Sequence, residues 1–240
     1  MYRNKTKKKL IINYFLSELK KLYFKHIYKN KINTLLLSIK NNFKLNEKFF
    51  SYERFYNILF IFISLKKNFN DNLKILEIGS FQGGTAIVLL KLFEKSNLEI
   101  VDTWSDDFIE GNKDYKEIKF NKIEDDFDQN LSQYSSRIKK FKSSSEVFFK
   151  TKTEKNNDQN KKYDIIYIDG SHKYEDVFVD AQNCLKFLNV NGTMIFDDFL
   201  WRQNAEPFNP INAINDFLNK EIGTFKVICV YHQLIIKKIK

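Results

Sequence analysis

The chain has 240 residues, 43% of them hydrophobic, and a formal net charge of +10. That length suits one domain with a substantial core and a small appendage. Two cysteines, Cys184 and Cys229, exclude a disulfide framework and a cysteine-rich metal cluster, and make a reducing, cytoplasmic setting the default expectation.

The charge is unevenly placed. Residues 1–40 carry eleven Lys and Arg against one acid, Glu18, while the rest of the chain holds 29 of each sign. The excess therefore sits in an N-terminal arm. Such an arm suits anionic lipid, nucleic acid or an acidic partner. Lys, Asn, Ile and Phe are abundant throughout, so compositional drift explains the excess more simply. On sequence alone that bland reading is favoured, and neither a membrane nor a nucleic-acid partner is assigned.

Within the arm, Ile12, Phe15, Leu16, Leu19, Leu22 and Tyr23 recur at three- and four-residue spacing. They predict one face of an amphipathic helix over about residues 8–28, followed by a second helical stretch over roughly 32–39. "KTKKK" before "LIINYFLS" faintly resembles a secretory signal. Asn13 breaks its apolar run, and Glu18, Lys20 and Lys21 stand where small residues belong. A third helix, near Tyr52–Lys66, is more apolar and is expected on the core. Its run Tyr56–Leu65 is far short of the roughly 20 residues a spanning helix needs.

From Asn72 the pattern becomes strand–helix alternation. "LKILEIGS" is a short apolar strand, "TAIVLLKLFEKS" a helix, and "LEIVDTW" a second strand. Residues 105–136 are polar and acidic, expected as helix and loop over one end of a sheet. "RIKKFK" is a weak third strand, and "VFFKTKTEKNNDQNKK" begins as helix and becomes loop. "YDIIYIDG" is a buried strand, and "YEDVFVDAQNCLKFLN" a helix with Val177, Ala181, Cys184, Leu185 and Leu188 inward. Asn191-Gly192 is expected to turn the chain into the strand "TMIF". A short helix "INAINDFLN" precedes a terminal hairpin, "TFKVICVY" and "QLIIKKI". The alternation predicts an α/β fold, a mostly parallel sheet with helices on both faces. Ligands in such folds bind beyond the carboxyl ends of the strands. Glu77–Gly79, Asp102, Asp169 and Asp197/Asp198 all fall there.

"LEIGSFQGGTAI" places Gly79, Gly83 and Gly84 between a strand and a helix. The loop permits a tight turn and close ligand approach, and the helix start favours an anionic group. Its G-x-x-x-G-G spacing is neither the dinucleotide fingerprint nor a phosphate-binding loop. Asp102 ends the next strand, where an acid accepts hydrogen bonds from ribose hydroxyls. A nucleoside without phosphates fits, and S-adenosylmethionine is one. The bland alternative is a glycine turn that only packs helix on strand. Asp169, Asp197 and Asp198 end two strands that should be neighbours. Three converging carboxylates repel unless a cation joins them, and hard oxygen ligands suit Mg²⁺ or another divalent cation.

"LEIGSFQGGTAI", "VDTW", "KSSSE", "YDIIYIDGSHKYEDVFVDA" and "NGTMIFDDFLW" together resemble class I S-adenosylmethionine-dependent methyltransferases. Within them they resemble the macrocin-type and other metal-dependent O-methyltransferases that carry I-D-G-S-H-x-Y and D-D. The resemblance covers about residues 50–240. It implies a Rossmann-like, seven-stranded sheet whose last strand is antiparallel, with residues 1–50 a basic helical arm and 51–240 the methyltransferase domain. It implies Glu77, Gly79, Ser80, Gly83 and Asp169 near the donor, Asp102 at the ribose, and Ser144 near the adenine, with Ser143 and Ser145 as alternative registers. It also implies Asp169, Asp197 and Asp198 as metal ligands. Catechol-type relatives have a lysine base where this chain has His172. A histidine there can take a hydroxyl proton near neutral pH. A structural histidine is an equally weighted reading.

The expected acceptor is a hydroxyl of a small molecule, with a sugar as one candidate, and self-association into a homo-oligomer is left open. A metal-assisted hydrolase and a non-catalytic binding module with a basic tether are the alternatives. The glycine loop and Asp102 argue against the first, and retention of the whole acidic set argues against the second. Trp104, Trp201 and Arg202 sit where substrate could touch them, though aromatic packing is the simpler account.

Overall fold

The computed structural model describes residues 2–46, 50, 52–66, 72–105, 120–154, 162–201, 209–230 and 232–240. Seven strands form one sheet: β1 (Lys74–Ile78), β2 (Asn97–Asp102), β3 (Ile138–Lys142), β4 (Tyr163–Ile168), β5 (Leu188–Phe196), β6 (Phe225–Val230) and β7 (Leu234–Lys238). Their order is β3-β2-β1-β4-β5-β7-β6. The pairs among β1–β5 are parallel, and β7 runs antiparallel to both β5 and β6. This is the Rossmann-like sheet that the resemblance implies.

Among the described residues seven α-helices flank it: α1 (Tyr2–Asn42), α2 (Tyr52–Lys66), α3 (Gly84–Leu92), α4 (Phe120–Leu131), α5 (Ser145–Glu154), α6 (Tyr174–Phe187) and α7 (Pro210–Lys220). Side chains alternate across a strand, so each central strand feeds two cores. Ile75, Ile165 and Tyr167 face the layer holding α2 and α3, with Phe62 and Phe93. Leu76, Ile166 and Ile168 face α5, α6 and α7, with Phe148, Ala181 and Phe217. Both faces are covered, which is why the central strands are continuous apolar runs.

Three local expectations are corrected. The helices expected over 8–28 and 32–39 are one continuous helix, because Lys29, Asn30 and Lys31 between them include no Gly or Pro to stop it. The face expected from Ile12 to Tyr23 is not the packed one. Leu10, Ser17 and Phe24 are buried, whereas Phe15, Leu19 and Leu22 are about two-thirds exposed. Phe24 packs on Phe60 and Tyr56, and the Val230 N–H donates to Ser17 Oγ at 3.0 Å. These tertiary contacts select the narrower apolar side. Asn191-Gly192, expected as a turn, lies inside β5, with Asn191 at φ 68° and a register shift opposite in β4. The expected boundary at 50/51 and Arg202 lie at or within residues outside the described ones, namely 47–49, 51 and 202–208.

The parallel strands end in step. Asp169 N–H donates to the Ile78 carbonyl at 2.8 Å, and Asp197 N–H to the Ile168 carbonyl at 3.0 Å. Gly79 has φ 76°, and a Cβ there would fall 2.0 Å from the Asp169 carbonyl oxygen. Only glycine permits that approach. Gly79→Ala should therefore lower unfolding stability by about 3 kcal/mol or more, from both backbone strain and displacement of β4. Urea denaturation followed by circular dichroism measures it; a change under about 1 kcal/mol would mean the two strand ends part freely.

Candidate active site

The glycine loop leaves β1 at Gly79 and enters α3 through Gly83, which has φ 83° and provides no capping side chain. Asp102, at the end of β2, fastens this loop. Its Oδ2 accepts the N–H groups of Ser80 at 2.7 Å and Phe81 at 2.9 Å, and its Oδ1 accepts that of Trp104 at 2.8 Å. Phe81 and Trp104 both have positive φ, 53° and 45°. Bulky residues rarely adopt that conformation, and here the carboxylate holds both. The Trp104 indole N–H closes the arrangement on the Phe81 carbonyl at 2.9 Å. A carboxylate offers about four acceptor positions, so a ribose hydroxyl would have to share Asp102 with the loop it supports.

Glu77 is fully buried on β1, and Ser80 Oγ donates to its Oε2 at 2.9 Å. Among the described residues its Oε1 has no hydrogen-bond partner. Burial raises the carboxyl to about 8, opposed by the Ser80 hydrogen bond and reinforced by the negative charges of Asp102 and Asp197. An orphaned buried carboxyl oxygen beside a glycine turn fits an ammonium group, such as that of an amino-acid moiety. The start of α3 is less open than the sequence suggested. The Phe50 ring lies where a Gly84 Cβ would be, and Phe50 also packs on Phe55. Gln82 donates to Asp126 at 2.9 Å and accepts from the Asn46 N–H at 2.7 Å, and Asn130 bridges Lys44 and Gln82. Lys44 and Asn46, just after α1, are thereby pinned to the glycine loop. No sequence motif flagged these amides.

Ser144 has a structural use: its Oγ accepts the Val147 N–H at 3.3 Å, capping α5. The Ser143 N–H donates to the Asp102 carbonyl at 3.0 Å, so the serine run does lie beside the β2 end.

Asp169, Asp197 and Asp198 converge as their strand positions require. Each offers an oxygen, and the three oxygens lie within 4.8 Å of one another. Asp197 is buried, and its Oδ1 accepts the Tyr167 hydroxyl at 2.5 Å and the Gln233 amide at 2.8 Å. Gln233 carried no sequence signal. Tyr167 did carry one: a tyrosine inside an apolar strand must find a partner for its hydroxyl. His172 Nε2 stands 3.3 Å from Asp198 Oδ2, and the imidazole meets the Trp201 ring edge-on at 4.7 Å. The first turn of α6 positions this loop, since Ser171 Oγ donates to Asp176 Oδ2 at 2.6 Å. Asp180, one turn further along α6, is buried and hydrogen-bonded to Ser145; burial raises it to about 7, that hydrogen bond opposes the rise, and Asp176 adds to it. The carboxylates and His172 line one pocket, walled on its apolar side by Val177, Pro210 and Ile214. Three carboxylates in so small a space favour a cation, and an all-oxygen set of this kind suits a hard dication.

The family model described as a methyltransferase domain matches residues 76–199. The chain belongs to the methyltransferase domain family. An uncharacterized protein of Acanthamoeba polyphaga mimivirus is 30% identical over 145 residues, so the chain spans about 60% of the length of this curated relative and is itself matched over 60%. Among solved structures, an O-methyltransferase from Bacillus cereus in complex with SAH shares 12% identity at TM-score 0.58, covering 96% of this chain and 100% of that one. The MycE methyltransferase of the mycinamycin biosynthetic pathway, in complex with Mg, SAH and mycinamycin VI, shares 15% identity at TM-score 0.50, covering 75% of this chain and 48% of that one. At such identities the likeness is one of fold. The matched segment of this methyltransferase domain runs from the glycine loop to Phe199, past both carboxylate-bearing strand ends.

Two outcomes follow for the loop. Asp102→Asn, which keeps the shape and loses the charge, should cost about 1.5–3 kcal/mol of stability, read from chemical denaturation. Unchanged stability would show that Phe81 and Trp104 hold their conformations unaided. The raised Glu77 carboxyl sets a pH trend. The folded chain keeps a proton that the unfolded chain releases above pH about 4.5, so this group's contribution to stability falls as pH rises from about 4.5 to about 8 and is level beyond. Glu77→Gln should remove that decline. At pH about 8.5 the variant should melt at least about 2–4 °C above the parent, with the gap closing towards pH about 5. A gap independent of pH would mean that Glu77 is ionised throughout.

Proposed function

We propose that the chain is an S-adenosylmethionine-dependent O-methyltransferase that uses a divalent cation, Mg²⁺ or a similar ion, and acts on a hydroxyl of a small molecule such as a sugar. The observation that carries this is the meeting of Asp169, Asp197 and Asp198 within 4.8 Å, at strand ends beside the glycine loop. Membership of the methyltransferase domain family supports methyl transfer, and the Mg named with the MycE fold relative is consistent with a cation.

Glu77 would hold the donor's ammonium, the loop of Gly79, Ser80 and Gly83 would cradle its amino-acid end, and Asp102 would share its fourth acceptor position with a ribose hydroxyl. Asp169, Asp197 and Asp198 would hold the cation, which when bound supplies Lewis acidity to an acceptor oxygen. Tyr167 and Gln233 fix the Asp197 carboxylate and reduce its repulsion with Asp198. Val177, Pro210 and Ile214 form the apolar wall of the pocket that the carboxylates and His172 line. His172 would take up the hydroxyl proton, its Nε2 side steadied by Asp198 and its ring by Trp201.

Titration calorimetry should show the donor binding in the presence of a chelator, while methyl transfer to hydroxylated acceptors stops until Mg²⁺ is restored. Asp198→Ala should lower turnover about 100-fold or more and change donor affinity by less than about threefold. Full turnover in chelator, or loss of donor binding in a folded Asp198→Ala variant, would remove the assigned division of labour. His172→Ala should slow transfer by about 100-fold across the pH range. An unchanged rate would reduce His172 to a packing residue for Trp201.

A further inference from the structure

The apolar side of α1 that the protein leaves uncovered is continuous. Ile12, Phe15, Leu16, Leu19, Leu22 and Tyr23 are exposed, four of them by about two-thirds of their surface. At 100° per residue they fall within one sector of the helix, opposite Leu10, Ser17 and Phe24, which are buried. Exposed Lys20 and Lys31 flank that sector on one side, and exposed Lys25 and Lys29 on the other. The helix thus has two apolar faces, one already used. Ser17 accepts the Val230 N–H, fastening the used face along the edge strand β6. A contiguous exposed patch of this size on a folded domain marks an interaction surface.

We propose that this face of α1 docks on an anionic lipid bilayer, lying in the plane of the interface. Charge complementarity selects the occupant. Residues 1–40 carry a net charge of +10, and the rest of the chain is neutral. Anionic headgroups attract flanking lysines, and the acyl boundary accepts the Phe and Leu side chains between them. A second copy would bring two such arms together and set their charges against each other. Nucleic acid would use the lysines and leave the apolar stripe in water. No helix among the described residues is long and apolar enough to cross a membrane, so the geometry is that of a surface helix. The proposal is independent of the catalytic reading.

The test is co-sedimentation of the full chain with vesicles of phosphatidylcholine containing phosphatidylglycerol, against phosphatidylcholine alone. Binding is expected to the anionic vesicles, weakening as salt rises. Phe15→Ser with Leu19→Ser should weaken it about tenfold or more, and Lys20→Gln with Lys25→Gln should weaken it on anionic vesicles. All four positions are exposed, and unchanged thermal melting with unchanged far-UV circular dichroism would show that these variants fold. Absence of vesicle binding overturns the proposal, as does binding that survives the Phe15/Leu19 pair. Sedimentation velocity covers the other occupants. A dimer that the Phe15/Leu19 pair dissolves, with no vesicle binding, assigns the face to a second copy. Retention on RNA that the same pair leaves intact, again with no vesicle binding, assigns the arm to nucleic acid.

Discussion

Gly79 and Asp169 meet backbone to backbone, and the site depends on that approach. A Cβ at position 79 would stand 2.0 Å from the Asp169 carbonyl oxygen. The contact lets β1 and β4 end at the same height, with the Asp169 N–H on the Ile78 carbonyl. β5 continues the same stagger through the Asp197 N–H on Ile168. The loop from β1 and the carboxylates from β4 and β5 therefore share one edge of the sheet. If the strands slipped by one residue, each carboxylate would turn into the opposite core.

The groups on that edge are supported from behind. Asp102 holds two residues in left-handed backbone conformations, Phe81 and Trp104, and so sets the loop's shape. Tyr167 and Gln233 set Asp197, and Asp176 sets the His172 loop through Ser171. Each support comes from a different element. The site is therefore rigid where carboxylates must face one another, and its repulsion is shared among hydrogen bonds inside a poorly solvated space. Glu77 carries the same theme further in. It is a carboxyl kept protonated near neutral pH by burial, with one oxygen still to be satisfied.

The arm follows a different logic. Its long helix is joined to the domain along one narrow apolar side and leaves a second, broader one outside. A sum of hydrophobicity around such a helix nearly cancels, because its two apolar faces oppose each other. Compositional drift does not account for large apolar side chains lying between lysines on its outward side.

Much of this was legible from local pattern. Period-two and period-3.6 spacing gave the order of strands and helices from β1 onward, and α2 at its observed limits. Acids at strand ends told of Asp169 beside Asp197 and Asp198, because neighbouring parallel strands must end together. Three things were beyond the sequence. Which side of α1 is buried depended on Phe60, Tyr56 and the edge of β6, residues distant in the chain. Asp102 as the support of the loop, and Ser144 as a helix cap, depended on which backbone N–H groups fold to within reach. Gln233 beneath Asp197 depended on the antiparallel return of β7. Periodicity is a property of neighbours along the chain, whereas a hydrogen bond to a buried carboxylate belongs to whatever the packing brings alongside, and only the assembled sheet decides that.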